Sequence, residues 1–274
     1  MKSIKRGHPW VYDQALQNLP KAPAGSFAKL IDKKDRFIAY GLYDSDCQLC
    51  FRVISLKERI PETLIEGKLE AAIQLRLSVF TTQKDTNAFR LFNGEGDGLP
   101  GLVCDVYNDT AVIQCDGAVP EAFWDVSAIG TFIAQKLSLK CVIQKYRGDK
   151  KAKVWVGDEI SNPVMITEHG SKFLVDVVEG QKTGFFLDQR ENRNLIKSLA
   201  HEKSVLNIFG YTGGFSIYAG LGGASKVTTV DIANPAIQAA KKNWSVNHLP
   251  EDKHEAVAID AFEFLSQAIA TKKT

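Results

Sequence analysis

The sequence lacks the features that mark secreted or membrane-spanning proteins. Its 274 residues include only five cysteines, and it has no apolar run of the roughly 20 residues needed to span a bilayer. An odd number of cysteines in a chain of this size does not indicate a disulfide framework. The basic N-terminal segment is not followed by an apolar stretch, so no signal peptide is predicted. We therefore expect a protein of the reducing cytoplasm that does not associate with membranes.

No metal site is expected either, although Cys47 and Cys50 form a C-x-x-C pair. A structural zinc site needs a second close pair of cysteine or histidine ligands, and none is evident in the sequence. Apolar Leu49, Phe51 and Val53 alternate around the pair, a pattern typical of a strand. We interpret the two cysteines as strand-packing residues.

The chain also has little excess charge of either sign. Lysine and arginine number 34 against 32 aspartate and glutamate residues, a formal net charge of +2. This balance permits a nucleic-acid partner without requiring one, because only a clustered basic face would matter.

Local patterns divide the chain into three regions. Residues 1–61 carry strand signals at 25–31, 37–43 and 49–54, and a polar turn indicates that the first two form a hairpin. We expect this region to form a small β-barrel. Residues 62–165 combine strands with helices, one of them predicted as continuous over 121–137, and indicate an α+β domain. Residues 166–274 alternate strand and helix, with strands expected at 204–209, 226–231 and 256–260, which predicts a parallel sheet with crossover helices. The sequence thus predicts a multi-domain α/β protein.

The most informative stretch is 205–219, where an apolar strand leads through a glycine-containing turn into a helix. Such glycines let the backbone approach a ligand and leave amides free at the helix start. Asp231 ends the next predicted strand, where an acidic side chain can accept hydrogen bonds from both ribose hydroxyls of a nucleoside. Asp260 ends the third, where it could accept from the exocyclic amine of an adenine. Each aspartate could instead cap the following helix.

The turn does not read G-x-G-x-x-G, so a pyrophosphate-binding loop and a nicotinamide oxidoreductase are disfavoured. The aspartates Asp231 and Asp260, in the absence of a pyrophosphate-binding loop, suit an adenosyl ligand that carries an amino acid. We therefore predict S-adenosylmethionine as the cofactor. Asp188 and Arg190 are suitably charged for its methionine end, and Thr183 adds a hydroxyl, although Asp188 and Arg190 could instead form a surface ion pair.

Two sets of site residues are predicted. The cofactor-binding set is Thr183, Asp188, Arg190, Phe209, Gly210, Tyr211, Thr212, Gly213, Asp231, Ile232, Asp260 and Ala261. The RNA-binding set is Arg6, Lys33, Lys34 and Arg36, whose charges could contact phosphates. Nearby Trp10 could stack on an unpaired base or, as we favour, lie buried.

Four motifs are specific in combination. They are Gly7-His-Pro-Trp-Val-Tyr12, Gly94-Glu-Gly-Asp-Gly-Leu-Pro-Gly-Leu-Val-Cys-Asp105, Gly180-Gln-Lys-Thr-Gly-Phe-Phe-Leu-Asp-Gln-Arg190 and Asn207-Ile-Phe-Gly-Tyr-Thr-Gly-Gly-Phe215. With them the chain resembles the class I S-adenosylmethionine-dependent methyltransferases that modify cytosine C5 in large-subunit ribosomal RNA. The resemblance implies an N-terminal PUA domain, a central α+β domain, a Rossmann-like methyltransferase domain and ribosomal RNA as partner. A homodimer is also considered.

The resemblance also defines a departure. That family has a seven-stranded sheet, and only three of those strands are predicted before Thr274. The family's Asp-Pro-Pro type motif and its catalytic cysteine would follow later, so we expect a truncated enzyme that is inactive alone and contains no catalytic residue. The alternative is a non-catalytic RNA-binding protein with a vestigial nucleotide fold.

Overall fold

The computed structural model describes residues 2–17, 19–80, 82, 84–148 and 150–271. Two compact units account for them. The N-terminal unit comprises Met1–Lys84 and Phe89–Ser161, and the C-terminal unit comprises Asp85–Ala88 and Asn162–Thr274. The first two predicted regions thus share one unit, while the division into three domains stays a prediction.

The N-terminal unit begins with a four-stranded antiparallel sheet. Its elements are α1 (Lys2–Lys5), β1 (Trp10–Val11), β2 (Ser26–Ile31), β3 (Phe37–Tyr43) and β4 (Phe51–Ser55). The strand order is β1-β4-β3-β2, and β2 and β3 form the predicted hairpin. The expected barrel was wrong, since the described residues form an open sheet with β1 and β2 at its edges. Closing a barrel requires the two edge strands to pair, and β1 has only two residues.

A five-stranded mixed sheet with three helices completes this unit. Its elements are α2 (Leu64–Phe80), β5 (Ala88–Asn93), β6 (Leu102–Tyr107), β7 (Thr110–Cys115), α3 (Ala118–Phe123), α4 (Val126–Leu137), β8 (Cys141–Gln144) and β9 (Lys153–Val156). The strands follow in sequence order, with β7 and β8 parallel. Leu69 and Ile73 of α2 pack into one core with Leu91 and Ile113 of the sheet. Each such burial stabilises the fold by about 1.5–3 kcal/mol.

The helix predicted over 121–137 is in fact two helices. Trp124 adopts an extended backbone after α3, and its indole N–H donates to the Pro100 carbonyl at 2.9 Å. Asp125 then caps α4, because its carboxylate accepts the Ala128 N–H at 2.9 Å. A helix passing through this point would lose the cap, typically worth about 1 kcal/mol.

The C-terminal unit contains the predicted alternation of strands and helices. Its elements are β10 (Val164–Glu168), β11 (Ser171–Val175), α5 (Arg190–Leu199), β12 (Ser204–Ile208), α6 (Gly214–Leu221), β13 (Lys226–Asp231), α7 (Asn234–Val246), β14 (His254–Ala258) and α8 (Ala261–Thr271). Strands β12, β13 and β14 form a parallel sheet in that order, and β10 and β11 form a separate hairpin. None of the described helices is long and apolar enough to cross a membrane.

The sequence patterns missed four strands, β1, β5, β9 and β10, and placed the last strand of the described chain slightly too late. The strand expected at 256–260 spans His254–Ala258. Asp260 therefore lies outside the strand, immediately before α8.

Candidate functional site

The carboxyl ends of the three parallel strands meet at one edge of the C-terminal sheet. In register, Ile208 of β12 lies beside Val230 of β13, and Asp231 lies beside Ala258 of β14. Ligands of open α/β sheets bind in the crevice outside this edge. The structure thus brings together the predicted residues that follow β12, β13 and β14.

The turn after β12 has a strained backbone. Phe209 and Tyr211 adopt left-handed φ values of 55° and 47°, a conformation that costs a non-glycine residue roughly 1–2 kcal/mol. Gly210 between them is required, because a Cβ there would lie 2.6 Å from the Thr229 Cγ2 atom. Strain of this kind clusters at ligand sites, where the surrounding structure holds it in place.

Asp231 is held in place by backbone amides on both of its oxygens. Its Oδ2 accepts the Tyr211 N–H at 2.8 Å, and its Oδ1 accepts the Ala233 N–H at 2.9 Å. An ionised carboxylate has about four acceptor positions, so two more hydrogen bonds remain possible. The carboxylate is fixed beside the turn and can still accept a pair of hydroxyls.

Asp260 adopts the alternative role considered for it, that of a helix cap. Its Oδ1 accepts the N–H groups of Phe262 and Glu263 at 2.9 and 3.1 Å. Both bonds use the same oxygen, so Oδ2 can still accept from a ligand. Capping and ligand binding are therefore compatible at this residue.

Three large apolar side chains lie exposed around these carboxylates. Phe209, Ile232 and Phe262 are 66%, 73% and 72% exposed, and the rings of Phe209 and Phe262 meet edge to face with centroids 6.4 Å apart. Such a group next to two acids provides a surface for a planar aromatic base. Sequence reasoning missed Phe262, although it directly follows the predicted Ala261.

The glycine-rich motif before α5 is attached to the turn through the Tyr211 hydroxyl. That oxygen accepts the Gln181 N–H at 2.8 Å and donates to the Gly184 carbonyl at 3.3 Å. The Phe186 ring also packs edge to face on the Tyr211 ring, at 5.5 Å between centroids. The buried Thr183 lies within this segment.

Asp188 and Arg190 each contact an oppositely charged neighbour. Asp188 contacts Lys182 at 3.3 Å, and Arg190 contacts Glu191 at 3.0 Å. Partial burial raises the pKa of Asp188, but the hydrogen bond from Gln189 and the charge of Lys182 outweigh that effect and lower it overall. Asp188 therefore stays ionised and could receive an ammonium group.

A buried ion pair that the sequence patterns did not reveal supports this region. Arg193 of α5 forms two hydrogen bonds with Glu168 of β10, at 2.8 and 2.6 Å, and both side chains are almost fully buried. The Arg193 guanidinium also donates to the Phe186 carbonyl at 3.0 Å. No periodicity or spacing signals such a pair, because its members are 25 residues apart.

The predicted RNA-binding residues lie on the N-terminal unit. Lys33 and Lys34 are exposed in the β2–β3 turn, where Arg36 pairs with Asp32 at 2.6 Å. The Arg36 hydrogen bond lowers the pKa of Asp32 to about 2. Trp10 is only partly buried, and its indole N–H donates to Glu95 at 2.9 Å, so it is neither fully buried, as we favoured, nor free.

Two family models match the chain. A PUA-like domain model matches residues 1–56. An S-adenosylmethionine-dependent methyltransferase model matches residues 121–265, which by themselves are more than half of the chain. The chain belongs to the S-adenosylmethionine-dependent methyltransferases. The enzyme uses S-adenosylmethionine as its methyl donor, as the sequence predicted.

Relatives of this methyltransferase match over almost all of its length. A ribosomal RNA large subunit methyltransferase of Deinococcus radiodurans is 36% identical, with 96% of this chain and 68% of the relative covered. Ribosomal RNA large subunit methyltransferase I of Pseudoalteromonas translucida is 35% identical, with 97% and 69% covered.

Solved structures share the fold of the methyltransferase. A candidate S-adenosylmethionine-dependent methyltransferase from Streptococcus mutans aligns with a TM-score of 0.88 at 27% identity, covering all of this chain and 72% of that one. A candidate methyltransferase complexed with S-adenosylhomocysteine aligns with a TM-score of 0.89 at 27% identity, covering all of this chain and 71% of that one.

The side chains at the strand ends fit such a methyl donor. Asp231 offers acceptors suited to ribose hydroxyls, Asp260 offers an oxygen suited to the adenine amine, and Ile232 and Phe262 offer apolar surface suited to the adenine ring. Asp188 suits the ammonium group of the methionine end. The ligand contacts assigned to these residues remain predictions.

Proposed function

We propose that this methyltransferase transfers a methyl group to C5 of a cytosine in large-subunit ribosomal RNA. The ribosomal RNA acceptor is supported by the names of the relatives at 35–36% identity, and the PUA-like match adds an RNA-binding type of domain. The choice of cytosine C5 rests on the four sequence motifs. Because ribosomal RNA is the substrate, we also propose a cytoplasmic location.

The proposed binding of S-adenosylmethionine rests mainly on one observation, the position of Asp231 beside the strained turn. When bound, S-adenosylmethionine supplies an electrophilic methyl group. The proposed role of the chain is to hold the ligand with Asp231, Asp260 and Asp188, and to cover the adenine with Ile232 and Phe262.

Methylation at C5 needs a nucleophile, because C5 of cytosine becomes reactive only after a thiolate adds to C6. Four of the five cysteines are buried, and burial raises the pKa of each thiol, in the case of Cys115 to about 12. A neutral, buried thiol is a poor nucleophile. We therefore do not assign this step to Cys50, Cys104, Cys115 or Cys141.

Nucleoside mass spectrometry of ribosomal RNA tests the acceptor. Large-subunit RNA from cells lacking the gene should contain one 5-methylcytidine fewer than RNA from the parent strain, with small-subunit RNA as the internal control. Loss of a different methylated nucleoside would overturn the choice of cytosine C5. A change confined to small-subunit RNA would overturn the choice of subunit.

We retain Arg6, Lys33, Lys34 and Arg36 as proposed phosphate contacts. A Lys33, Lys34, Arg36 triple alanine variant should bind RNA with a shallower salt dependence than the wild type, because fewer counterions are released. The Asp32 partner makes Arg36 the weakest contributor. Fluorescence anisotropy in a salt series measures the slope, and identical slopes would remove these residues from the RNA surface.

A further inference from the structure

A groove in the N-terminal unit is the strongest feature that the donor site does not explain. Its volume is about 590 Å³, and its lining comes from the start of the chain, the end of β4, the segment before α2 and the first turns of α2. Pro9, Leu56, Pro61 and Leu64 give it an apolar wall. Leu56 is 46% exposed there.

The charged groups of the groove are predominantly positive. Two lysines, Lys57 and Lys68, and one acid, Glu95, line it. Glu95 is already engaged, since it lies 2.8 Å from the Arg52 guanidinium and accepts the Trp10 indole N–H. In the part of the chain that the structure describes, neither Lys57 nor Lys68 has a carboxylate within ion-pair distance.

The two lysines also repel each other. Burial lowers the pKa of Lys68, and the nearby charge of Lys57 lowers it further. The Lys68 ammonium lies against Gly98, so close that a Cβ at that position would be 2.4 Å from Nζ. A half-buried ammonium beside a second one is unfavourable without an anion, and an anion between them relieves both desolvation and repulsion.

We propose that this groove binds a phosphodiester of single-stranded RNA between Lys57 and Lys68, with the attached nucleoside against the apolar wall. The inference rests on the proposed function, from which the RNA partner comes. A phosphate alone would fill only a small part of the volume, whereas a nucleotide also uses the wall of Pro9, Leu56 and Leu64. Proteins that bind single strands commonly combine a cationic groove that follows the backbone with side chains that contact the bases, and here the base-side contacts would be aliphatic.

Salt-dependent binding of a short fluorescein-labelled single-stranded RNA tests the proposal. The variant Lys57→Gln/Lys68→Gln should bind about tenfold more weakly near physiological salt. For this variant, the plot of log affinity against log salt concentration should become shallower, by roughly 0.7 in slope for each phosphate that is no longer neutralised. The matched control is Lys136→Gln/Lys140→Gln, which removes the same charge from the same unit at lysines paired with Glu70 and Asp109. The control should keep the wild-type slope.

A second variant separates the apolar wall from the charges. Leu56→Ser should weaken RNA binding about fivefold, because less apolar surface is buried against the nucleoside, and should leave the salt slope unchanged. Removing Lys57 and Lys68 relieves repulsion, so the thermal midpoint should be unchanged or higher. Affinity for S-adenosylhomocysteine should also persist, because that site is built from the C-terminal unit.

The outcomes distinguish this inference from the function on which it rests. Equal slopes and affinities for the wild type and the Lys57/Lys68 variant would overturn the groove as an RNA site and leave the proposed function standing. No binding of single-stranded RNA by the wild type would overturn both. If the Lys57/Lys68 variant shows a shallower salt dependence together with a lowered thermal midpoint, the two lysines stabilise the fold. That result would also overturn the inference.

Discussion

Asp231 is both a structural and a prospective ligand-binding residue. It accepts the backbone N–H groups of Tyr211 and Ala233, and it ends β13 at the edge where the parallel strands finish. At the scale of single residues, its observed and proposed roles can be separated, because the amide bonds concern folding whereas the proposed ribose bonds concern affinity.

We expect Asp231→Asn to weaken S-adenosylhomocysteine binding by about 1–3 kcal/mol, because charge-assisted hydrogen bonds to the ribose hydroxyls would be lost. Titration calorimetry measures the affinity, and a thermal melt checks the fold. Asp252→Asn is the control, since Asp252 is exposed in a short turn before β14. Unchanged affinity in the Asp231 variant would mean that this carboxylate does not contact the ligand.

Tyr211 acts through its hydroxyl as a positioning residue. Tyr211→Phe removes the bonds to Gln181 and Gly184, each worth about 1 kcal/mol. We expect faster amide exchange over residues 181–186 and about fivefold weaker S-adenosylhomocysteine binding. Hydrogen exchange followed by mass spectrometry and calorimetry provide the two readouts. Tyr12→Phe, at a 48% exposed tyrosine, should change neither, and unaltered exchange in the Tyr211 variant would exclude the positioning role.

At the scale of elements, a chain of polar side chains joins β12, α6, β13 and β14. Asn207 donates to Ser216 at 2.9 Å, Ser216 and Thr229 are 2.6 Å apart, and Thr229 lies 2.8 Å from His254 Nε2. His254 also stacks on Trp244 with ring centroids 4.3 Å apart. The sheet therefore holds a half-buried imidazole that is well accommodated only when neutral.

The free energy of unfolding should depend on pH through His254. Burial, with a smaller contribution from Lys241, lowers its pKa from 6.5 to about 4. The unfolded chain therefore binds a proton below about pH 6.5, while the folded chain resists protonation until about pH 4. The stabilisation that depends on a neutral His254 is fully present above pH 6.5 and is lost as the pH falls towards 4. The loss in the free energy of unfolding is on the order of 3 kcal/mol before screening by solvent.

Urea unfolding at a series of pH values measures this loss. His254→Gln should flatten the dependence between pH 6.5 and 4, whereas His201→Gln at an exposed histidine should leave it as in the wild type. The same steep dependence in the His254 variant would assign the effect to other groups.

At the scale of the whole molecule, the two compact units allow stability to be measured unit by unit. The C-terminal unit contains two ion pairs of opposite character. Glu168 and Arg193 are buried, with 0% and 2% of their side chains exposed, whereas Lys226 and Glu255 are 52% and 39% exposed. The buried pair also makes two hydrogen bonds, at 2.8 and 2.6 Å, whereas the exposed pair makes one contact at 3.1 Å. We expect the two pairs to differ in energy, because burial removes the screening by water.

Glu168→Gln should destabilise the C-terminal unit by about 3–5 kcal/mol, since it leaves the buried Arg193 uncompensated. Glu255→Gln should cost at most about 1 kcal/mol, as is usual for an exposed pair. Amide exchange under native conditions, resolved by peptide, measures both changes in the C-terminal unit and uses the N-terminal unit as an internal reference. Equal effects of the two substitutions would contradict this assignment.

Elements whose signals are local could be predicted from the amino-acid sequence alone. The strand at Lys226–Asp231 and the hairpin of β2 and β3 follow from apolar patterning and turn residues. The order of strand, turn and acid also predicted correctly that Asp231 lies at the edge where the strands end, because parallel strands bring their carboxyl ends together. S-adenosylmethionine could be inferred as the methyl donor because the sequence has two strand-end aspartates and no pyrophosphate-binding loop.

Tertiary structure decided what depends on distant partners. The break at Asp125 between α3 and α4, the open N-terminal sheet, the Arg193–Glu168 pair and the attachment of the glycine-rich motif to Tyr211 all rest on contacts or geometry that periodicity does not encode. The same holds for Lys57 and Lys68, which stand 11 residues apart in the sequence and line one groove only because the fold brings the end of β4 and the first turns of α2 together. Pairing, burial and repulsion are properties of distance in space, and the chain acquires those distances only when it folds.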